Sequence, residues 1–302
     1  AAMMVGASMI MPDRFLQPEP LVRMMEAEKP TMAAAVPTIW QGVLQQLEAT
    51  QADVSSLKEV VVGGAACPPS LMKAFEEKFG ITVLHAWGMT ETSPLGSVAR
   101  PPAGSTGEER WAYRTSQGRM PAGVESRLVG DNGEVLPKDG KSIGELEVRG
   151  PWITGAYYGD DDPEKFHDGW LRTGDVGYVT PDGFLQLTDR AKDVIKSGGE
   201  WISSVELENA VMAHPAVAEA AVIGIPDEKW SERPLAAVVL KEGQQVEAVE
   251  LREFLRDKLA KWQLPEYWTF IPEVPKTSVG KFDKKVLRKQ HADGELDVLR
   301  VE

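Results

Sequence analysis

Strand-like and helix-like segments alternate along the first hundred residues of the chain. Apolar runs at 31–36, 58–62 and 81–84 have the length of buried strands, and amphipathic segments at 37–47 and 68–79 lie between them. The first of these amphipathic segments opens on proline, as helices commonly do. Parallel neighbours in a sheet need a crossover, usually a helix. This order therefore predicts a parallel α/β sheet with helices packed on it.

The pattern changes near Gly118. Short strand-like segments follow at 125–129, 144–149 and 184–188, separated by turn sequences such as Asp131-Asn132-Gly133. This stretch predicts a small antiparallel sheet or barrel.

A third pattern follows residue 190. It comprises a helix at 203–212 with Ser203 or Ser204 as its N-cap, two strands at 217–225 and 235–241, a helix at 249–262 and a strand at 267–271. These segments predict a compact α+β unit of a normal domain size. The three patterns divide the chain into a first domain at 1–188, a junction at 189–193 and a C-terminal domain at 194–302.

Composition excludes several functions. The net charge of −13 argues against a nucleic-acid groove, which would need a basic stripe. The single cysteine, Cys67, excludes an intrachain disulfide, and it is interpreted as a small buried residue rather than a nucleophile. The four histidines lack metal-ligand spacing. No apolar run reaches the length of a membrane span, and no signal peptide is recognised, so we expect a cytoplasmic protein.

Five segments, taken in order, carry the chemistry. They are Gly63-Gly64-Ala65, Trp87 to Thr92, Gly144-Glu145-Leu146 with Arg172 to Asp175, Asp189 to Glu200, and Pro275 to Lys281. Each segment alone is weak evidence, since a glycine pair after a strand or an Asp in a Thr-Gly-Asp triplet is commonly just a turn. As an ordered set they resemble the motifs of the adenylate-forming superfamily, which contains acyl-CoA synthetases, peptide-synthetase adenylation domains and luciferases. Residues 199–204 and 214–222 are most similar to bacterial medium- or long-chain fatty-acyl-CoA ligases, in their C-terminal part.

The resemblance implies an α/β fold. Residues 1–188 would be the C-terminal part of a large parallel-sheet AMP-binding domain with a small β-barrel-like subdomain, and 194–302 a mobile α+β lid. The implied reaction is ATP-dependent conversion of a carboxylic acid, here a fatty acid, to acyl-AMP, followed by transfer to coenzyme A. ATP, Mg²⁺, coenzyme A and a small-molecule acid are the implied ligands, and a homodimer is compatible with the family.

The resemblance also implies roles for the first two motifs. Trp87, with Gly88, would lie near the adenine, the hydroxyl of Thr90 would meet the α-phosphate, and Glu91 would bind Mg²⁺. A carboxylate substrate must approach a polyanionic triphosphate, so a metal and hydrogen-bond donors are needed to neutralise that charge. The turn formed by Gly63, Gly64 and Ala65 would pass close to the adenine and the acyl group, because glycines permit close approach.

The later motifs would hold the ribose and govern domain rotation. Asp175 would accept hydrogen bonds from both ribose hydroxyls, since a carboxylate is an acceptor-only group. Arg190 would contact ribose or phosphate. The resemblance makes Lys192 the hinge about which the C-terminal domain rotates between half-reactions. In the thioester-forming orientation, three further residues would face the active site and the pantetheine arm: Lys196, Gly198 and Gly199.

Lys281 is the residue that the resemblance marks as catalytic for the first half-reaction. It would reach into the active site during adenylation, where its ammonium would hold the carboxylate and the α-phosphate together. The loop composition of 275–281 alone predicts only a solvated surface lysine.

One motif of the superfamily is missing. Its glycine-rich phosphate loop ending in lysine lies upstream of these motifs in the family, and the nearest stretch here, 103–107, follows Trp87 to Thr92 and lacks the lysine. With the apolar start of the sequence, this predicts a fragment that begins inside the large domain and adenylates poorly alone. Two alternatives stay open: an adenylation enzyme that loads a carrier protein, and an inactive nucleotide-binding fragment.

Overall fold

The structure, a computed structural model, describes residues 2–159, 162, 164–276 and 282–301. The α-helices are α1 Pro18–Glu28, α2 Pro37–Ala49, α3 Pro69–Phe79, α4 Gly107–Thr115, α5 Ser204–Met212, α6 Ala248–Leu255 and α7 Lys284–Ala292. The strands are β1 Met32–Ala35, β2 Glu59–Val62, β3 Thr82–Gly88, β4 Leu95–Val98, β5 Gly118–Arg119, β6 Glu125–Val129, β7 Val135–Leu136, β8 Gly144–Arg149, β9 Phe166–His167, β10 Trp170–Val179, β11 Phe184–Arg190, β12 Ile195–Ser197, β13 Glu200–Ile202, β14 Val217–Asp227, β15 Ser231–Leu240, β16 Tyr267–Phe270 and β17 Leu299–Arg300.

The predicted parallel sheet is confirmed. Strands β1, β2 and β3 pair in parallel, with Ala33 opposite Val60 and Val60 opposite Val83. Helices α2 and α3 make the two crossovers. Their apolar faces form a buried core against the sheet, in which Trp40 lies edge-on to Phe75 at 5.8 Å between ring centroids. This arrangement brings the carboxyl ends of β2 and β3 to one edge, where α/β sheets place their ligand sites.

The antiparallel strands continue the same sheet. Strand β3 pairs antiparallel with β4, and the strand order runs β1-β2-β3-β4-β5-β11-β10-β8-β6-β7, with β9 on β10. The expectation of a barrel-like subdomain is wrong for the described residues, because β1 and β7 end the order on opposite sides and the sheet stays open. The physical reason is that β3 runs on to Gly88, beyond its parallel pairing, so β4 can add to its free edge.

The last third of the chain forms a separate sheet with the order β13-β12-β15-β16-β17, and β14 on β15. Strands β14 and β15 make a long hairpin paired from Val217–Leu240 to Asp227–Ser231. Helix α5 begins where predicted, since the side chain of Ser203 accepts a hydrogen bond from the N–H of Glu206. The α+β unit predicted for this region is confirmed as a small sheet with α5, α6 and α7.

The predicted helix at 249–262 is shorter than expected, because α6 ends at Leu255. After it, the N–H of Ala260 donates to the side-chain oxygen of Gln263 at 3.0 Å. This N–H is therefore engaged outside the helical ladder that a helix to residue 262 would need. Of the helices that the structure describes, none combines the length and apolarity needed to cross a bilayer.

Candidate active site

Asp175 is at the centre of the candidate site, on β10. The pairing of β10 with β8 shifts register between Arg172 and Val176, so the intervening Thr-Gly-Asp leaves the regular ladder. The hydroxyl of Thr173 donates to the carbonyl of Leu146 at 2.7 Å and accepts from the N–H of Asp175 at 3.1 Å. Gly174 has a φ of +69°, which favours glycine. Asp175 thus leaves the pairing with β8 but stays opposite Arg190 of β11.

The carboxylate of Asp175 joins two of the other predicted site residues. Its Oδ2 accepts from the indole N–H of Trp87 at 2.7 Å, and its Oδ1 forms an ion pair with the guanidinium of Arg190, 2.8 Å from Nε. Asp175 is only 6% exposed. An ionised carboxylate can accept about four hydrogen bonds. These two groups therefore orient the carboxylate, and a carboxylate is an acceptor suited to hydroxyl groups.

Trp87 is buried, whereas a ring that stacks on an adenine would need an exposed face. It is 7% exposed, and its ring packs directly on Gly96, where an added Cβ would come within 2.2 Å of Cζ3. In this conformation little of the ring remains for contact with an adenine. The geometry assigns its N–H to orienting Asp175, a contact that the sequence analysis did not anticipate.

The next residues form a tight turn before β4. A Cβ on Gly88 would lie 1.9 Å from the carbonyl oxygen of Pro94, so only glycine fits there. Thr90 and its neighbours to Thr92 form one 3₁₀ turn, and the hydroxyl of Thr92 bonds to the backbone of Met89 and Pro94. Thr92 is thus structural, whereas the side chain of Thr90 is exposed at the edge of the site.

Glu91 is half-buried in this turn, and its Oε1 accepts a hydrogen bond from the hydroxyl of Tyr157 at 2.7 Å. The described residues contain no cluster of three or more acidic, histidine or cysteine side chains that would hold a metal by itself. Mg²⁺ usually keeps several waters and takes one or two carboxylates plus substrate phosphates. A single carboxylate at this position therefore fits a Mg²⁺ ion that arrives with a nucleotide.

The turn after β2 runs beside β3. Gly63 faces the carbonyl of Ala86, and Gly64 faces Val36; an added Cβ at either position would be tight, at 3.2 and 3.3 Å. Ala65 follows, exposed. The turn is fixed by His85 of β3, whose Nε2 accepts from the N–H of Cys67 at 3.4 Å.

Burial sets the chemistry of Cys67 and His85. It raises the pKa of the Cys67 thiol to about 12 and lowers the pKa of the His85 imidazole below its usual value. Cys67 is therefore a neutral thiol at physiological pH, and a thiol is a poor nucleophile. This agrees with the interpretation of Cys67 as a packing residue.

Hydrogen bonds join the junction at 189–193 to helices α5 and α7. Asp189, at the end of β11, accepts from the N–H and the hydroxyl of Ser204 at 2.5 and 2.6 Å, which ties it to the start of α5. Lys192 is an exposed turn residue. Its carbonyl accepts from Arg288 of α7 at 2.9 Å, and the same guanidinium pairs with Asp193 at 2.6 Å.

The β12–β13 hairpin lies against the turn between β6 and β7. The ammonium of Lys196 is 2.5 Å from one carboxylate oxygen of Asp131, and the indole N–H of Trp201 is 3.0 Å from the other. Burial of Asp131, which raises its pKa, is outweighed by these two hydrogen bonds, and the pKa falls below its ordinary value. Gly198 and Gly199 form the exposed hairpin turn, and the N–H of Gly198 donates to the carbonyl of Trp230 at 2.8 Å.

The structure thus brings Trp87, Asp175 and Arg190 together, and places Lys196 with Asp131 instead of with Thr90 or Glu91. Lys281 lies outside the described residues. On either side of residues 277–281, Lys276 pairs with Phe282, and the N–H of Asp283 donates to the carbonyl of Pro275 at 2.7 Å.

Sequence reasoning missed Asp131 and Tyr157 because each meets its partner across a large sequence separation. In the sequence, Asp131 is recognisable only as a turn residue, and Tyr157 lies in an irregular segment without periodicity. The tyrosine pair at 157–158 within a glycine- and aspartate-rich stretch was the available signal.

Comparison with models of protein families identifies the family to which this chain belongs. Residues 1–158 match the model of the AMP-binding enzyme family, and residues 206–281 match that of the AMP-binding enzyme C-terminal domain. The chain belongs to the AMP-binding enzyme family. The first match alone spans more than half of the chain, and the order of the two matches is the order of the two sheets.

Individual relatives agree with this assignment. The chain is 47% identical over 293 residues to 3-methylmercaptopropionyl-CoA ligase of Ruegeria lacuscaerulensis, covering 96% of this chain and 54% of the relative. It is 43% identical over 296 residues to medium-chain-fatty-acid–CoA ligase of Ectopseudomonas oleovorans, covering 97% and 54%. It resembles the structure of o-succinylbenzoate CoA synthetase from Bacillus subtilis with its acyl-adenylate intermediate, at a TM-score of 0.76 and 32% identity, covering 93% and 54%. The chain therefore spans about half the length of these relatives.

Proposed function

We propose that this AMP-binding family chain supplies the ribose-binding, metal-binding and C-terminal parts of an AMP-forming acid–CoA ligase that activates a fatty acid. The observation that carries the proposal is the buried carboxylate of Asp175 on β10, with Trp87 and Arg190 against it. The relatives that are CoA ligases by name support the acid–CoA ligase class. We assign the activity to the complete protein, meaning the gene product that contains these 302 residues.

Two half-reactions follow. A substrate carboxylate oxygen attacks the α-phosphorus of ATP and pyrophosphate leaves, giving acyl-AMP. The thiol of coenzyme A then loses its proton and attacks the acyl carbon, and AMP leaves with the bonding electron pair. Mg²⁺, when bound with the triphosphate, supplies charge neutralisation.

The residues of this chain have separate tasks in the proposal. Asp175 accepts from the ribose hydroxyls, Arg190 holds Asp175 and adds positive charge beside the phosphate, and Thr90 donates to the α-phosphate. Glu91 is the carboxylate for Mg²⁺, and Lys281 stabilises the negative charge of the first transition state. The turn at Gly63, Gly64 and Ala65 runs close to the carbonyl of Ala86 on β3, and adenine and the acyl group would pass along it.

The identity of the acid substrate is tested with the complete protein. Pyrophosphate release is measured once with octanoate and once with 3-methylmercaptopropionate as the acid. We expect the larger kcat/KM with octanoate and a requirement for coenzyme A in the release of free AMP. The similar proteins include ligases named for each of these two types of acid. A larger kcat/KM with 3-methylmercaptopropionate would therefore contradict the fatty-acid assignment, but it would leave the CoA-ligase class intact.

We expect Lys192→Pro to block coenzyme A transfer more than adenylation. Proline fixes φ near −65° and restricts the residue before it, so a rotation that uses the dihedral angles of this turn would stall. The measurement is single-turnover analysis of each half-reaction. Lys192→Ala is the matched control, because it removes the same side chain and keeps the backbone free. Unchanged transfer in the proline variant would place the hinge elsewhere.

A further inference from the structure

A short strap, residues 152–157, crosses the segment that carries Glu91. The hydroxyl of Ser93 donates to the carbonyl of Trp152 at 2.8 Å, and the N–H of Thr154 donates to the carbonyl of Glu91 at 2.9 Å. The indole N–H of Trp152 donates to the carbonyl of Leu95 at 3.2 Å. These three bonds join two segments about sixty residues apart into one unit, and they fix the backbone of Glu91 from outside its own turn.

Tyr157 ends this strap and reaches the side chain of Glu91. Its hydroxyl donates to Oε1 at 2.7 Å, while its ring packs edge-on against Phe166 of β9 at 5.7 Å between centroids. The ring is half-buried, so its packing limits where the hydroxyl can point. The neighbouring Tyr158 is fully exposed.

The chemistry of this donor suits a carboxylate that binds a cation. A lysine or arginine at the same place would neutralise Glu91 and compete with a metal ion. A phenol hydroxyl holds one oxygen by a hydrogen bond and carries no charge, so the carboxylate keeps its negative charge. With Oε1 engaged by Tyr157, Oε2 is the oxygen that a cation would meet.

We propose that Tyr157 is a positioning residue for Glu91, holding its carboxylate so that the other oxygen meets the Mg²⁺ ion of the bound nucleotide. The inference rests on the proposed function, which makes Glu91 the metal carboxylate. Ligands to metals are commonly oriented by such outer hydrogen bonds, and their loss lowers metal affinity.

The test measures metal affinity directly. Mn²⁺ is titrated into the complete protein saturated with the β,γ-imido analogue of ATP, and free Mn²⁺ is followed by electron paramagnetic resonance. We expect Tyr157→Phe to weaken Mn²⁺ binding about three- to tenfold, as fits loss of one hydrogen bond. Affinity for AMP without metal, and the melting temperature, should be close to those of the parent. Tyr158→Phe, the same change one residue on, should leave Mn²⁺ affinity unchanged.

A double-mutant cycle separates positioning from a general structural effect. If Tyr157 acts through Glu91, adding Tyr157→Phe to Glu91→Gln should cause no further loss of Mn²⁺ affinity. Losses that multiply, or a Tyr157→Phe variant with parental affinity, would overturn the proposal. A Glu91→Gln variant with parental Mn²⁺ affinity would instead remove the metal role of Glu91 from the proposed function, and the role of Tyr157 with it.

Discussion

Replacing Asp175 by asparagine in the complete protein is expected to lower kcat/KM for ATP in acyl-AMP formation by about ten- to a hundredfold. That range corresponds to one hydrogen bond to a charged group, worth about 1.5–3 kcal/mol. Asparagine keeps the size of the side chain and one acceptor oxygen. Its amide nitrogen, however, is a donor and cannot accept from the indole N–H or the guanidinium that now orient Asp175.

The ribose role has a sharper signature than loss of rate. If Asp175 accepts from a ribose hydroxyl, the parent protein should prefer ATP to 2′-deoxy-ATP, and Asp175→Asn should bring the ratio of their kcat/KM values closer to one. Pyrophosphate release with each nucleotide gives the ratio. An unchanged preference would mean that Asp175 only holds Trp87 and Arg190 in place.

Asp182→Asn is the matched control for this substitution. Asp182 lies in the turn of the same β10–β11 hairpin and also has an arginine partner, Arg119 at 3.7 Å, but it is exposed and away from the site. The same change of charge there should leave the nucleotide preference and the rate of adenylation close to those of the parent.

The sequence predicted the parallel sheet well because β1, β2 and β3 are short apolar runs bounded by clear helix signals. Several other elements gave weaker signals. Helix α4 buries only Arg114, so it lacks an apolar stripe to detect. Strand β10 contains Gly174 and Gly177, which interrupt any strand pattern, yet it is at the centre of the antiparallel part.

Helix α7 is also hard to detect from the periodicity of the sequence. It is strongly polar and fully buries only Leu287, yet Lys284 on it pairs with the buried Glu208 of α5 at 2.7 Å. The motifs predict which residues lie near a bound nucleotide, but not which residues orient their side chains. Tyr157 and Asp131 act through contacts made only when distant segments fold together. Periodicity and motif spacing are local properties, so they do not contain such contacts.

Lys281→Ala is expected to have the largest effect. In the complete protein it should lower the rate of acyl-AMP formation by about a hundred- to a thousandfold, as loss of a transition-state donor does elsewhere. It should largely spare thioester formation from supplied acyl-AMP, because the charge that Lys281 stabilises arises only in the first half-reaction. Pyrophosphate release measures the first step, and acyl-CoA formation from synthetic acyl-AMP measures the second.

Lys276→Ala is the control for Lys281→Ala, because it removes a lysine from the same loop. Lys276 pairs with Glu219 at 2.5 Å and its side chain is 43% exposed, so its loss should affect both half-reactions little. A surface ion pair of this kind contributes at most about 1 kcal/mol to stability. Equal losses in both half-reactions for Lys281→Ala would mean that the residue serves the fold of the C-terminal domain. A large adenylation defect in Lys276→Ala with a mild one in Lys281→Ala would move the catalytic role to the base of the loop.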